Sequence, residues 1–405
     1  MSTYNSVNDQ RQKLWLENAV TYRWQKFFKG KRDKDLWIFS AWEGQKFSDN
    51  SKYLYEYMLS AHPEISCVWQ TKNKDVFAQL KKENKPVQMI GTSEAEKTQK
   101  KAGVAFYTNG LDDFGERPKI YGAVLVSLWH GVGFKRMYRE QVSYPNIFKL
   151  IFGSVKWRLF SWVKRDVSIV TSEESRAQTQ KAFALGKKAN VIIAGQPRND
   201  IFGNNVKIEE VINNEDVINR IKTKKIVLYM PTFRKSGEAM EHYMKDIWTS
   251  EKVSAILQKN DAVFLAKLHY LNRGTLESKD NLILLNDSDV VDVQKLMCCV
   301  DVLVTDYSSC AVDFALQNKP ILFYFPDWEE YQADECMKKG TREACSINCA
   351  ESMAALEEKL EETLNNPENG LRQSERLNVL FDETGVCPGE YSENVYKKLI
   401  GFLEN

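Results

Sequence analysis

VLVTDYSSCAVDFA, residues 302–315, joins a short apolar run to a polar turn and then to a segment that reads as a helix through Ala315. The run Val302–Thr305 is apolar or β-branched throughout rather than alternating, as a strand buried on both faces of a parallel sheet requires. Runs of the same kind stand on its near side at 226–230, 263–266 and 282–285 and beyond it at 321–325. An earlier series covers 36–39, 65–69, 104–107, 123–128, 167–170 and 191–194, with longer polar segments of helical spacing between most runs. Strand and helix in alternation, twice over, predict an α/β chain of two Rossmann-like domains with parallel sheets. The polar stretch 203–223 is the expected boundary region, dividing the chain into 1–205 and 206–405. In such folds a nucleotide is expected in a cleft ringed by the carboxyl ends of strands.

The length supports two domains, since a single core usually stops growing before 405 residues. Lys and Arg number 56 against 55 Asp and Glu, a net charge of +1. No global field therefore draws the chain to nucleic acid or to a membrane, and any attraction must be local. The N-terminal MSTYNSVNDQRQ lacks the basic-then-apolar pattern of a secretory leader, and no stretch approaches the roughly 20 apolar residues that span a bilayer. A cytoplasmic protein is expected. The eight cysteines follow no zinc spacing: Cys298 and Cys299 are adjacent, and Cys345 and Cys349 have no second pair nearby. They read as reduced thiols in packing roles.

Chemistry gathers where strands end. His130 in SLWHGVGFK and His269 in AKLHY are two of only four histidines, each beside glycine or cationic residues. Histidine exchanges a proton near neutrality, and an adjacent glycine admits a ligand to the backbone. Either ring alone could equally be a core histidine held by a hydrogen bond. Asp306, Tyr307, Ser308 and Ser309 follow the strand 302–305, placing two hydroxyls and unpaired N–H groups at a helix start, which favours an anion by about 0.3–1 kcal/mol. A serine there also serves as an ordinary N-cap. Asp313, one turn on, is expected to face the same ligand, although a solvated carboxylate fits the spacing as well. Arg198 in GQPRND and the cluster Pro231–Arg234, with Thr232, offer guanidinium forks and a hydroxyl suited to phosphate, although either fits a surface charge beside a proline turn as well. With Lys135, Lys267 and His269 they put several cations at strand ends, which points to a pyrophosphate.

The segment 148–165 differs in kind. Phe148, Ile151, Phe152, Val155, Leu159, Trp162 and Val163 share one helical face, while Lys149, Lys156, Arg158, Lys164 and Arg165 occupy the rest without a single acidic residue. Such a basic, aromatic amphipathic helix fits a membrane interface, each cation adding about 1 kcal/mol beside an anionic leaflet, and it also fits a helix packed on the domain core.

WEGQKFSDN from Trp42, WHG followed by lysine, G-x-PRND, YxPTFR, TDYSS with its aspartate, and KPILFYFPDxxxY occur in this order from about Trp37 through Tyr331. Together they resemble the CDP-glycerol glycerophosphotransferase family, which builds the poly(polyol phosphate) chains of teichoic acids and related capsules. The resemblance implies a GT-B type fold of two facing Rossmann-like domains, an N-terminal one for the acceptor and membrane and a C-terminal one for the CDP donor. It implies attack by an acceptor hydroxyl on the β-phosphorus of CDP-glycerol with release of CMP, His130 being the base. His269 would stabilise charge on the pyrophosphate. Donor contacts would fall on His130, Gly131, Val132, Gly133, Phe134, Arg198, Pro231, Thr232, Lys267, Leu268, His269, Ser308, Ser309 and Asp313. A lipid-linked or polymer acceptor and peripheral association with the cytoplasmic face of the membrane are further implications. Positioning and charge stabilisation are what phosphoryl-type transfer asks of a protein; the sequence shows no acidic cluster demanding a bound metal, so no cofactor and no essential metal are expected.

Two departures stand out: Val132 and Gly133 replace the Thr and Pro of the common WHGTPLK, and Lys267 stands where arginine is frequent. Either could accompany another CDP-polyol such as CDP-ribitol. An ordinary glycosyltransferase of the same fold and a catalytically silent, membrane-associated binding protein are the competing readings.

Overall fold

Strands that are apolar on both faces need cover on both, and each of the two parallel sheets has it. The structure, a computed structural model, describes residues 31–137, 140, 165–186, 188–232, 234, 237–267, 276–335 and 337–404. The chain forms two compact units: Met1–His130 with Met137–Asp200 and Glu390–Asn405, and Gly131–Arg136 with Ile201–Gly389.

The first unit holds seven strands: β1 Asp33–Phe39, β2 Ser66–Thr71, β3 Val87–Met89, β4 Ala102–Tyr107, β5 Val124–Ser127, β6 Val167–Val170 and β7 Asn190–Ile193. Their order is β3-β2-β1-β4-β5-β6-β7, with every pairing parallel. Successive residues of β1 enter different cores, Trp37 and Phe39 one and Ile38 the other. Burying each of these large side chains contributes on the order of 1.5–3 kcal/mol. Three helices of this unit begin on side-chain caps: Asn73, Thr92 and Ser172 each accept from backbone N–H groups of the first turn. The chain order reverses direction between β1 and β4, the point where open α/β sheets bind ligands.

The second unit holds β8 Lys225–Met230, β9 Ala262–Lys267, β10 Leu282–Leu285, β11 Val302–Thr305, β12 Ile321–Tyr324 and β13 Cys349–Ala350 in the order β10-β9-β8-β11-β12-β13, again all parallel. Its switch point lies between β8 and β11.

The division expected at 205/206 falls instead at Asp200/Ile201, and two segments depart from it: Gly131–Arg136 belongs to the second unit and Glu390–Asn405 to the first. The stretch 203–223 is no linker, because Val211, Ile212, Val217 and Ile221 are buried in the second unit's core. The last helix, Tyr391–Leu403, belongs to the first unit: Val395 and Leu399 join its core, and Asp200 accepts hydrogen bonds from the N–H groups of Tyr391 (2.7 Å) and Ser392 (2.9 Å). Gly195, at φ +100°, makes room for the Tyr391 ring. Among the described residues no helix is long and apolar enough to cross a membrane.

Candidate active site

In the first unit, β5 ends beside β4 and the chain turns through Trp129 and His130. Trp129 has φ +55°, an unusual backbone for a bulky residue, and Gly131 follows at φ +140°. The indole stacks on the imidazole with centroids 4.2 Å apart, and Trp42, after β1, lies 5.5 Å away. His130 Nδ1 lies 3.3 Å from the Thr108 carbonyl oxygen, which can only accept. Nδ1 therefore carries the proton in the neutral ring, and Nε2 holds the lone pair. Among the described residues Nε2 has no hydrogen-bond partner. Burial pushes the imidazolium below its ordinary pKa, Arg198 and Arg165 add to that depression, and Asp49 opposes it. The half-buried ring is thus neutral at pH 7 and fit to take a proton.

Three buried groups fix this turn. Asn50 donates from Nδ2 to the carbonyls of Leu128 (3.2 Å) and Trp129 (2.9 Å), while its Oδ1 accepts from Arg198 N (3.1 Å). Arg198 donates from Nη1 to Asp49 Oδ1 (2.9 Å) and to the His130 carbonyl (2.9 Å). Asp113 accepts from the N–H groups of Glu43 (2.6 Å), Thr108 (2.9 Å) and Asn109 (3.1 Å), joining the ends of β1 and β4, while burial pushes its carboxyl up to about 7. Trp42, Glu43 and Gly44 run consecutively at φ 50°, 56° and 77°, and a run of positive φ of this kind is strained and persists where the surroundings hold it. Arg198, expected as a phosphate fork, anchors this turn: its side chain is only 8% exposed, and Asp49 and the His130 carbonyl engage it. Asp49, Asn50 and Asp113 were not singled out in the sequence. WEGQKFSDN contained the first two, but a polar pair at a helix start reads as capping.

In the second unit, the chain leaves β8 through Pro231 and Thr232 and leaves β11 through Asp306–Ser309. Asp306 Oδ1 accepts from Thr232 N (2.8 Å), Thr232 Oγ1 (2.6 Å) and Tyr307 N (2.6 Å). Arg234 donates to Asp306 Oδ2 (2.9 Å), to both oxygens of Asp327 (2.6 and 3.0 Å) and to the Thr232 carbonyl (2.7 Å). Burial works against the guanidinium charge, but Asp306 and Asp327 outweigh it and hold its pKa above the ordinary value. The Tyr307 hydroxyl donates to Asp327 Oδ1 (3.0 Å), and its ring stacks between Phe325 (4.9 Å) and Tyr331 (3.9 Å). Lys135 lies 4.9 Å from the Tyr331 ring. Arg234 is thus engaged as a scaffold between these loops.

Pro231, Thr232, Ser308, Ser309, Gly131, Gly133 and Lys267 remain half-buried. Ser308 Oγ accepts from Cys310 N at 3.4 Å, whereas Ser309 makes no side-chain cap bond to the short helix Cys310–Ala315. Of the expected donor contacts, Val132 (6% exposed), Phe134 (1%) and Asp313 (2%) are buried. The Phe134 ring packs on Phe323 and Phe381, so that segment can offer a ligand backbone but not these side chains. Leu268 and His269 lie outside the described residues, as does the basic segment except Arg165. Arg165 is half-buried, its guanidinium 3.5 Å from the Phe183 ring centroid and 5.7 Å from that of Trp129. Among the described residues no group of three or more His, Cys, Asp or Glu could hold a metal ion.

A teichoic acid poly(glycerol phosphate) polymerase of Bacillus spizizenii is 26% identical over 387 residues, covering 91% of this chain and 93% of the relative. The teichoic acid ribitol-phosphate polymerase TarL of Staphylococcus aureus is 29% identical over 320 residues, covering 76% of this chain; the match takes in about half of TarL, 52%. Among solved structures, the wall teichoic acid polymerase TagF has a TM-score of 0.66 at 19% identity, covering 99% of this chain and 96% of that one, a likeness in fold that agrees with the GT-B type. A model of the CDP-Glycerol:Poly(glycerophosphate) glycerophosphotransferase family matches residues 21–400. From the turn at His130 to the scaffold around Asp306, the motifs described above lie inside that match, and the chain belongs to this family of transferases.

Proposed function

We propose that the chain transfers glycerol phosphate from CDP-glycerol to a hydroxyl of a teichoic acid acceptor and releases CMP. The observation that carries this reading is His130 Nδ1 lying 3.3 Å from the Thr108 carbonyl oxygen: in the neutral ring Nδ1–H donates there, and Nε2 is left as an unprotonated base. Nε2 takes the proton of the acceptor hydroxyl as its oxygen attacks the β-phosphorus. A P–O bond forms to the acceptor, the bond between the β-phosphorus and the bridging oxygen breaks, and CMP departs with that oxygen and its electron pair. Base catalysis of this kind contributes roughly a hundred- to ten-thousand-fold. Thr232, Ser308 and Ser309, with the backbone around Gly131 and Gly133, are the donor-facing groups in this reading, and Lys267 and His269 neutralise the pyrophosphate.

The relatives include both glycerol-phosphate and ribitol-phosphate polymerases, which favours CDP-ribitol as the second donor to test. Incubation with CDP-glycerol, CDP-ribitol or UDP-glucose and a membrane-extracted acceptor decides the matter. CMP from one CDP-polyol, dependent on acceptor and on His130, is the expected result; release of UDP alone overturns it. Peripheral membrane association through the basic segment belongs to the same proposal. Its test is sedimentation with anionic vesicles, which replacing Lys149, Lys156, Arg158 and Lys164 by glutamate abolishes; unchanged sedimentation refutes it.

A further inference from the structure

We propose that Arg234 is a positioning residue for the donor, bridging Asp306 and Asp327 so that the turn carrying Ser308 and Ser309 is held beside Thr232. The inference rests on the donor reading above. With its side chain 6% exposed, Arg234 is no surface cation awaiting a phosphate. Its planar fork spans two carboxylates contributed by separate loops, at 2.9 Å to Asp306 and at 2.6 and 3.0 Å to Asp327. Asp306 in turn holds the backbone and hydroxyl of Thr232 and the N–H of Tyr307, the residue before Ser308. The loops after β8, β11 and β12 thus share one buried ion network, and displacing its centre moves every hydroxyl we assign to the donor. Two carboxylates against one guanidinium make the network sensitive to loss of that cation. Lysine keeps the charge but cannot reproduce the fork, so geometry and charge are separable by substitution.

The experiment compares wild type, Arg234→Lys, Ser308→Ala and the double variant, with CDP binding by calorimetry and CMP release from CDP-glycerol. Wild-type protein that neither binds CDP nor releases CMP refutes the donor reading itself, before any variant is compared. If wild type is active, Arg234→Lys raises donor KM and CDP Kd by about tenfold or more, while kcat at saturating donor falls only about threefold or less. The double variant binds CDP about as weakly as Arg234→Lys alone, because Ser308 has already lost its position. Additive losses, or a fall in kcat with KM unchanged, overturn the proposal. Should Arg234→Lys melt below the assay temperature, Asp327→Asn carries the same test, since it leaves Arg234 its bond to Asp306.

Discussion

Replacing Arg198 by methionine probes how the turn at His130 is held. Arg198 and Asp49 have side chains 8% and 6% exposed and meet at 2.9 Å, so the substitution leaves a buried carboxylate without its cation. Breaking a buried pair from one side costs about 3–5 kcal/mol, a large part of the roughly 5–15 kcal/mol that keeps a typical domain folded. Adding Asp49→Asn removes the orphaned charge, and the double variant should recover most of the loss, to within about 1–2 kcal/mol of wild type in urea unfolding. Activity should not recover with it, because the His130 carbonyl has lost its donor at 2.9 Å. The acid limb of the rate profile supplies an independent readout: Arg198 depresses the His130 pKa, so Arg198→Met alone moves that limb to higher pH, and Asp49→Asn alone moves it lower. A double variant no more stable than Arg198→Met would show that the ion pair does not account for the stability of this turn.

His130→Ala should lower kcat by about 100- to 10,000-fold without shifting the melting temperature by more than a few degrees, checked by CMP release and calorimetry. Because the folded-state pKa of His130 is lowered, the unfolded chain binds its proton first. Its contribution to stability is complete above about pH 6.5 and is lost as pH falls through the folded value, and the activity limb that reports it should lie below pH 6.5. Gly195→Ala drives a Cβ into the Tyr391 ring, with Cε1 2.8 Å and Cγ 2.9 Å away, at φ +100°. It should destabilise the first unit by about 1–3 kcal/mol or more and expose the last helix to proteolysis, while leaving CDP binding intact. Since the sequence carries no acidic cluster suited to a metal, CMP release should survive EDTA; loss that magnesium restores would reassign the charge stabilisation.

Strands buried on both faces announced themselves. β6, β10 and β11 match the predicted runs end to end, because short runs rich in β-branched and apolar residues between helical segments fit strands buried on both faces. The short edge strands Val87–Met89 and Cys349–Ala350 were missed, being too brief to show any pattern. The region 203–223 looked like a linker because its buried residues are spaced among charges that remain outside. His130 was legible from residue type and position, but its tautomer depends on Thr108, which reaches it only through the fold. The arginines were found as cations at strand ends, but their buried partners were not, for the same reason. Sequence spacing shows where a guanidinium starts, whereas Asp49, 149 positions away, and Asp327, 93 away, decide where it points.

The return of the last helix to the first unit bears on the order in which the protein can be made. Asp200 waits for Tyr391, 191 positions further along, and the core containing Trp37 and Phe39 lacks Val395 and Leu399 until then. At about 5–20 residues per second on the ribosome, that is roughly 10–40 s during which the earliest unit is unfinished while the later one is being synthesised. The usual vectorial sequence, first-made domain first folded, is therefore interrupted in this chain. A nascent polypeptide halted before residue 390 would hold a complete set of strands for the second unit but a first unit with one face of its sheet partly uncovered. Chaperone capture during synthesis should accordingly favour the half of the molecule that left the ribosome earlier.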